Sequence, residues 1–152
     1  MVKQQGVTLI ELVIAIVVLT IAGAAMFSSY AYLTQHNADS MLTYQATAIA
    51  ESYLEEILAK SFVDPTTNTV CPAPNAGGRA SYDNICDYRG LTNVVSDQTG
   101  AAIGSLNLYS VVVTITDNVA WQGIPAADVL QVDVEVTDPN ENKVLLTGYR
   151  TR

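Results

Sequence analysis

One feature constrains this chain more than any other: an apolar stretch near the N-terminus that contains a single carboxylate. Residues 7–33 consist mainly of Leu, Ile, Val and Ala, and Glu11 is the only charged residue among them. About 20 such residues in an α-helix cross the roughly 30 Å hydrocarbon core of a bilayer. An acid in such a segment costs about 2.5–3.5 kcal/mol and by default marks a functional residue. The sequence therefore predicts a hydrophobic transmembrane half-helix over residues 7–33, with one functional acid near its start.

The remaining residues have the composition of one small folded domain. The chain has 152 residues, and Lys3 and Glu11 are its only charged residues before Asp39. We predict that residues 34–152 form a head domain outside the membrane, periplasmic or extracellular. The net charge of −8 argues against nucleic acid as a partner, because phosphate binding needs clustered Lys and Arg. A local basic groove is the alternative, with these contributors: Arg79, Arg89, Arg150 and Arg152.

The two cysteines, Cys71 and Cys86, are predicted to form a disulfide. If Lys3 is on the cytoplasmic side of the apolar stretch, both cysteines lie outside the cytoplasm, where disulfides persist. Closing a loop of this length stabilises a protein by about 3 kcal/mol in the chain-entropy description. Two free thiols are the alternative. A zinc site is disfavoured, because the only histidine, His36, lies far upstream.

The N-terminal third of the chain predicts one long helix, preceded by a short polar leader at residues 1–6. From Thr8 to about Lys60 there is no proline and only one glycine, as a continuous helix requires. A secretory signal cleaved before Ala25 is the alternative. It is disfavoured because Glu11 would lie inside its hydrophobic region and because the helical pattern continues past the cleavage site.

The second half of this helix is predicted to be amphipathic and to end before Pro65. The residue before a proline is disfavoured in the α region. Apolar residues recur every three or four positions, opposite a polar face that includes Glu56. The residues that follow, to about position 107, are interpreted as an irregular segment clasped by the two cysteines. The apolar face consists of Leu42, Ala46, Ile49, Tyr53 and Ile57.

Beyond position 107 the period changes to two, which predicts β-strands. Apolar and polar residues alternate over 109–116 and again over 130–137. A turn cluster at 138–142 leads into a third strand, 143–149. Three antiparallel strands with one apolar face need a cover, and the amphipathic half-helix is the large apolar surface available. We therefore predict an α+β fold, in which the second half of the long helix packs on a small antiparallel β-sheet.

The sequence predicts neither catalysis nor a bound cofactor. Asp138, Asn140 and Asn142 match the opening of a calcium loop, but Lys143 replaces the required glycine and Tyr149 stands where the bidentate acid belongs. We interpret this segment as a solvated hairpin turn. There is no nucleophile elbow, phosphate-binding glycine loop or histidine pair. The expectation is a protein without enzymatic activity, cofactor or metal.

Glu11 requires a positive partner, and no Lys, Arg or His lies within four positions of it. Cleavage after Gly6 would create an α-amino group on Val7, which is largely positive at neutral pH. In an array of parallel helices, this amine could meet its own carboxylate or that of a neighbouring subunit, in a medium where the attraction is stronger than in water. The residues themselves thus suggest a filament subunit that is first held in a membrane.

Residues 6–11, GVTLIE, resemble the N-terminal motif of type IV pilin and pseudopilin precursors. This resemblance implies a type IV pilin-like fold and cleavage by prepilin peptidase between Gly6 and Val7. It also implies N-methylation of Val7, subunit assembly through Glu11, and a half-helix that becomes filament core. The sequence departs from the usual pattern of type IV pilins in two ways. Val7 replaces the usual phenylalanine, and the anchor lacks the helix-kinking proline of many major pilins.

Three later stretches, 48–58, 82–91 and 146–152, resemble minor pilins of the mannose-sensitive haemagglutinin (MSHA) pilus. The resemblance implies a role in pilus biogenesis and surface adhesion. The implied partners are other pilins, contacted through the N-terminal helix, prepilin peptidase and the inner-membrane pilus assembly machinery. The implied location is the inner membrane, as a single-pass protein with a periplasmic C-terminal domain, and then the pilus at the cell surface.

Two alternatives stay open. The first is a minor pseudopilin of a type II secretion system. The second is a monomeric membrane-tethered domain that binds a ligand through the loop between Cys71 and Cys86.

Overall fold

The chain divides into two compact units, Met1–Ser40 and Met41–Arg152, and we call the second the head unit. A computed structural model describes residues 8–152, with the side chains of residues 34–38 excepted. One helix, α1 (Leu9–Leu58), forms the described part of the first unit and continues into the head unit. The prediction of one long helix is confirmed, and the lack of proline over this range accounts for its continuity.

The helix α1 ends at Leu58, slightly before the predicted boundary at Lys60 and well before Pro65. The amide of Lys60 donates to the carbonyl of Ile57 at 3.1 Å, which tightens the last turn in the manner of a 3₁₀-helix. The Lys60 ammonium then donates to the carbonyl of Tyr82 at 2.8 Å. Contacts with the following loop, rather than the proline, therefore mark the end of the helix.

The described part of the first unit is a helix with exposed apolar side chains. Its segment Leu9–Leu33 spans 25 residues with a mean hydropathy of 2.6, and none of its most apolar window is buried. This segment is long and apolar enough to cross a membrane. The span predicted over residues 7–33 contains this segment and stays a prediction, and Val7 lies outside the described residues.

The head unit adds a four-stranded antiparallel sheet to the second half of α1. Its strands, in both chain and spatial order, are β1 (Thr92–Val94), β2 (Ser110–Asp117), β3 (Val129–Thr137) and β4 (Lys143–Thr151). The predicted α+β class is confirmed, but the predicted count of three strands was too low. The missed strand, β1, lies in the segment interpreted as irregular. It has three residues, all exposed, so it shows no alternation that a period-two pattern can detect.

The core of the head unit lies between one face of α1 and one face of the sheet. The predicted alternation in the strands is confirmed, because the apolar positions of β2 and β3 are buried. Of the five α1 residues predicted to face the core, four are buried and Leu42 is half-buried. Burial of one large aliphatic side chain contributes about 1.5–3 kcal/mol. The buried residues include Ala46, Ile49, Tyr53, Ile57, Val111, Val113, Ile115, Leu130, Val132, Val134 and Val136.

Gly148 in β4 allows α1 to approach the sheet closely. A Cβ atom placed on Gly148 would lie 3.0 Å from Cδ1 of Leu54 and 3.0 Å from Cδ1 of Leu58. Any side chain at this position must therefore displace two leucines of α1.

We expect Gly148→Val to destabilise the protein by about 1–3 kcal/mol, the usual cost of overpacking a core. Thermal unfolding of the full chain in detergent, followed by circular dichroism, measures this change. Thr151→Val is the matched control, because its side chain lies exposed on the same strand and should alter stability by less than about 0.5 kcal/mol. Equal stability of the two variants would contradict close packing of α1 on β4.

The turn between β3 and β4 is organised by Asp138. Its carboxylate accepts hydrogen bonds from the amides of Asn140 at 2.8 Å and Asn142 at 2.9 Å, and from the Asn142 side chain at 3.1 Å. Burial acts to raise the pKa of the Asp138 carboxyl, but these bonds outweigh it and lower that pKa below its usual value. The hairpin is present as interpreted, although Asp138 itself is buried rather than solvated. Among the described residues, no group of three or more His, Cys, Asp or Glu side chains is arranged to hold a metal ion.

Candidate functional site

Glu11 lies in the first turn of α1 with its side chain exposed. The carbonyl of Thr8 accepts hydrogen bonds from the amides of Glu11 at 3.1 Å and Leu12 at 3.2 Å, which begins the helix here. A negative charge is favoured at a helix N-terminus by about 0.3–1 kcal/mol. The cost of an acid within hydrocarbon is larger, about 2.5–3.5 kcal/mol. The helix position of Glu11 therefore offsets only part of the cost of its charge in an apolar medium.

The Glu11 carboxylate makes no hydrogen bond or ion pair within the described part of the chain. Its neighbours Leu9, Ile10 and Leu12 are 83%, 64% and 55% exposed. An apolar surface of this kind requires cover by lipid or by another protein. A protein that covers it and excludes water must also supply a positive group, because an unpaired buried charge is strongly destabilising.

The predicted cleavage site, Gly6 and Val7, lies outside the described residues. Cleavage, N-methylation of Val7 and the pairing of its amine with Glu11 therefore stay predictions.

The head unit contains an ion pair, Arg79 with Glu56, that the sequence did not predict. The Arg79 guanidinium donates to both carboxylate oxygens, at 3.1 Å from Nε to Oε1 and at 2.6 Å from Nη2 to Oε2. The Tyr88 hydroxyl donates to the same Oε1 at 2.5 Å. The side chains of Arg79 and Glu56 are only 4% and 11% exposed. The pair is thus held largely out of water, where each charge depends on the other.

The remaining donors of Arg79 bind Ser96. The Arg79 Nη1 donates to the Ser96 carbonyl at 2.7 Å and to its hydroxyl at 3.0 Å. The Tyr53 hydroxyl donates to the same carbonyl at 3.1 Å and accepts from the Ser96 amide at 2.9 Å. The guanidinium carbon also lies 4.1 Å from the centre of the Tyr53 ring, a cation–π contact. Arg79 thereby joins α1 to the segment that follows β1.

A disulfide closes the loop that carries Arg79. Cys71 and Cys86 are bonded, with their Cα atoms 5.0 Å apart, so the predicted disulfide is confirmed. Cys86 is buried in a short 3₁₀ turn that also holds Tyr88. The loop is therefore tied to Glu56 twice, by Arg79 within it and by Tyr88 just after it.

A second buried carboxylate, Asp87, orders the same loop. It accepts hydrogen bonds from the amides of Asn75 at 2.8 Å and Asp83 at 2.9 Å, and from the side chain of Asn84 at 2.9 Å. The Asn84 side chain in turn accepts from the amide of Cys86 at 2.9 Å. The Asn84 and Asp87 side chains form a capping box, in which Asp87 stands where the usual sequence pattern has Glu or Gln. The segment is ordered by these bonds rather than irregular.

The pair of Arg79 and Glu56 shifts the acidity of its members. Burial acts to raise the pKa of the Glu56 carboxyl, but hydrogen bonds from Arg79 and Tyr88 outweigh it and hold that pKa below its usual value. Burial, followed by the hydrogen bond to Glu56, raises the pKa of the Tyr88 hydroxyl. Burial opposes the charge on Arg79, yet the Glu56 carboxylate raises the pKa of the guanidinium above its usual value. At neutral pH the pair is ionised and Tyr88 is a neutral donor.

The alternative of a basic groove is wrong for Arg79. That residue is only 7% exposed, and its charge is paired with Glu56. Arg89 lies beside an acid, with 3.6 Å between its Nη2 and Oδ2 of Asp117. Neither pair could be identified from the sequence, because the two members of each pair lie far apart along the chain.

A groove of about 360 Å³ lies beside this ion pair in the head unit. Glu56 and Arg79 form part of its wall, but they are already bound to each other, so the groove offers mainly apolar surface. Arg79 is the one residue of the loop between Cys71 and Cys86 that lines it, which does not favour ligand capture by that loop. The other lining residues include Ile49, Ser52, Val95, Gln98, Ile103 and Leu106.

Comparison with known families supports the predicted N-terminal motif. Residues 1–27 match the prokaryotic N-terminal methylation motif, which is of the type IV pilin class. The match includes Glu11 and much of the apolar segment, and it ends before the head unit. It supports a precursor of the type IV pilin or pseudopilin kind, and it implies processing by prepilin peptidase and assembly with other pilins. No similar curated protein and no similar solved structure was found.

Proposed function

We propose that this protein is a minor pilin of a type IV pilus of the MSHA kind, corresponding to its D-type subunit. Prepilin peptidase cleaves it between Gly6 and Val7, and Val7 becomes the N-methylated terminus. Its role is structural rather than enzymatic and supports pilus biogenesis and surface adhesion. The observation that carries this proposal is Glu11, an acid without a partner among the described residues, on an exposed apolar helix within the matched motif.

Before assembly, α1 holds the protein in the inner membrane as a single span with a periplasmic head unit. Tyr30 and Tyr32 are 72% and 62% exposed near the end of the apolar segment, and tyrosine is enriched at membrane interfaces. Roughly 20 residues separate them from Glu11, which is about 30 Å of helix and matches the hydrocarbon core. Glu11 then lies at the cytoplasmic boundary, with Lys3 beyond it. Its charge is thus still close to water while the protein is in the membrane.

Assembly moves Glu11 from this boundary into a bundle of apolar helices. Water is excluded there, so the carboxylate needs an opposite charge. The α-amino group of Val7 in a neighbouring subunit supplies that charge, and their attraction is stronger in an apolar medium than in water. Pairing thus favours helices that are correctly offset along the filament and disfavours those that are not.

Shear fractionation combined with intact-mass measurement tests this function. We expect the protein in sheared surface filaments, with a mass that lacks residues 1–6 and includes one added methyl group. Gly6→Val is the control, because loss of the residue before the cut should leave the leader attached and the protein in the inner membrane. A mature chain that begins at Ala25 would contradict the proposal, as would a processed protein that never enters filaments.

Other experiments distinguish the two alternatives from this proposal. A minor pseudopilin of a type II secretion system carries the same kind of motif, but its deletion impairs protein secretion and leaves surface pili intact. The neighbouring genes also separate these two systems. A monomeric membrane-tethered binding domain would keep its function when Glu11 is replaced.

A further inference from the structure

The last strand of the sheet, β4, has a free edge. It pairs with β3 along one side and is the final strand of the sheet order, so no strand among the described residues lies along its other side. It is nine residues long, whereas the opposite edge of the sheet is formed by the three residues of β1. The sheet is therefore open along the full length of one of its longest strands.

Two hydrogen bonds fix which backbone groups of β4 point away from the sheet. The amide of Arg152 donates to the carbonyl of Asp128 at 3.1 Å, and the amide of Asp138 donates to the carbonyl of Asn142 at 2.9 Å. Between these two bonds the antiparallel register is continuous, so hydrogen-bonded pairs alternate with non-hydrogen-bonded pairs. The even-numbered residues of β4 are thus bonded to β3. The backbone N–H and C=O groups that point outward belong to the odd-numbered residues, Lys143, Leu145, Thr147, Tyr149 and Thr151.

These outward groups make no backbone hydrogen bond within the part of the chain that the structure describes. Natural proteins usually protect such an edge with charges, a proline, a bulge or a covering element. Residues 144–149 contain neither a charge nor a proline, and the continuous register leaves no bulge. The middle of the edge is thus a row of unpaired donors and acceptors, and the group that matches such a row is another extended backbone.

The core of the head unit is also incomplete along this edge. The inward-facing side chains of the neighbouring strand β3 are fully buried. By contrast, Val144 and Leu146 of β4 pack against the core but are only half-buried. The same is true of Leu54 and Leu58 of α1, which lie beside Gly148. A further strand with alternate apolar side chains on the inner face would cover these four residues, and burial of apolar surface stabilises by about 25 cal/mol per Å².

We propose that the free edge of β4 binds an extended segment of a different protein of the filament, which adds a fifth strand to the sheet. The segment alternates apolar and polar residues, and its apolar side chains meet the half-buried side chains of α1 and β4. Backbone hydrogen bonds supply affinity, and the apolar positions supply specificity. A minor subunit is sparse in its filament, so the segment belongs to another subunit rather than to a second copy of this chain. The inference rests on the proposed function, because the filament brings that other subunit alongside.

Photo-crosslinking along β4 in the full chain tests this contact. Benzoyl-phenylalanine replaces Leu145, Thr147 or Tyr149 in three separate affinity-tagged variants. On irradiation its ketone takes a hydrogen atom from a nearby C–H bond and the two carbon radicals join, so a C–C bond forms and the ketone becomes an alcohol. Tagged chains are recovered from sheared filaments under denaturing conditions, and linked peptides are mapped by mass spectrometry.

We expect the three positions to link to one segment of another protein, at residues that advance by two along it. This step arises because paired strands keep their register and successive side chains alternate between faces. The matched control is the same replacement at Thr114, which is exposed on the outer face of the central strand β2 and should give no link to that segment.

A proline at position 145 separates backbone pairing from side-chain contact. Leu145 is 58% exposed, and its outward N–H is not used by β3. Leu145→Pro therefore removes a donor from the free edge and leaves the pairing with β3 in place. Leu145→Val keeps the donor and is the matched control. With the crosslinker at Thr147, we expect about fivefold fewer links from Leu145→Pro, the effect of one lost hydrogen bond, and no loss from Leu145→Val.

Each outcome decides the contact. Thermal unfolding shows whether both variants are folded, and if Leu145→Pro is not, the map of the three positions decides alone. If filaments contain the protein, the contact is refuted by an absence of links, by links that do not advance by two, by equal links from the two folded variants, or by links to a second copy of this chain. The proposed function stands in each of these cases. If the protein is absent from filaments, the proposed function fails, and the same map in membranes decides whether the contact exists.

Discussion

The Glu11→Gln variant is expected to be processed normally after Gly6 yet to be at least about tenfold depleted from sheared filaments. Loss of one member of a buried ion pair costs about 3–5 kcal/mol, which is more than two decades in an equilibrium constant. Here the lost carboxylate leaves the amine of a neighbouring Val7 without its counter-charge. We expect a tenfold rather than a hundredfold depletion, because the variant keeps the apolar contacts of the helix. Immunoblots of sheared and membrane fractions measure the ratio.

The matched control for this experiment is Glu141→Gln. It removes the same charge from an exposed turn of the head unit and should leave incorporation unchanged. Wild-type incorporation of the Glu11→Gln variant would refute a role for this acid in assembly. An unprocessed Glu11→Gln chain would instead assign Glu11 to recognition by the peptidase.

The second large effect, on the stability of the folded protein, is expected for a substitution of Glu56. Glu56→Ala leaves the Arg79 guanidinium, whose side chain is 4% exposed, without its carboxylate partner. We expect a loss of about 3 kcal/mol in the free energy of unfolding, the lower end for a broken buried pair, because Glu56 keeps some contact with water. For a domain of this size that corresponds to a fall in Tm of roughly 10 °C. Thermal unfolding of the oxidised full chain in detergent measures it.

Two further variants show how much of the lost stability is due to the broken ion pair. Glu56→Leu with Arg79→Leu removes both charges and should recover much of the stability, because an apolar pair can replace a buried ion pair. Lys143→Ala breaks the exposed pair with Glu135 and should cost less than about 1 kcal/mol. If Glu56→Ala costs no more than Lys143→Ala, the buried pair does not stabilise the head unit.

The same acids predict how stability depends on pH. The pKa values of Glu56 and Asp87 are lowered in the folded protein, so below about pH 4.3 the unfolded chain binds protons that the folded chain does not. Their stabilisation is present above the unfolded pKa values and is lost as the pH falls through the folded ones. Tyr88 has a raised pKa, so its contribution is present at neutral pH and is lost at alkaline pH, above about 10. Glu56→Gln should flatten the acid limb, with the remaining slope due to the other carboxyls whose pKa is lowered, Asp87 and Asp138 among them.

Local patterns were sufficient to predict the long helix and the three longer strands. A range without proline predicts the long helix, and its apolar spacing identifies the residues of α1 that face the sheet. Alternation at period two identifies β2 and β3 and the residues they bury. These signals succeed because a helix or strand repeats one geometry, so burial on one side imposes a fixed period. β1 has too few residues to show such a period.

Side chains that meet across long separations in sequence were not predictable in this way. Glu56 occupies a polar position on α1 by spacing, and only the folded loop turns it into the partner of Arg79 and Tyr88. Gly148 has no signal of its own until Leu54 and Leu58 are seen to pack against it. The contact of Lys60 with Tyr82, just after the end of α1, likewise joins residues far apart in sequence.

The sequence alone therefore indicated a precursor of the type IV pilin or pseudopilin kind. The GVTLIE stretch and the apolar segment after it are contiguous, so the motif, the membrane-crossing length and the position of Glu11 could all be read without a fold. Only the tertiary structure decided which charges are paired with one another within the subunit. Arg79 and Glu56 neutralise each other inside the head unit, whereas Glu51, Glu55, Arg150 and Arg152 have no opposite charge paired with them in the described residues. The reason is physical: a charge pair depends on distance in space, and the fold sets that distance.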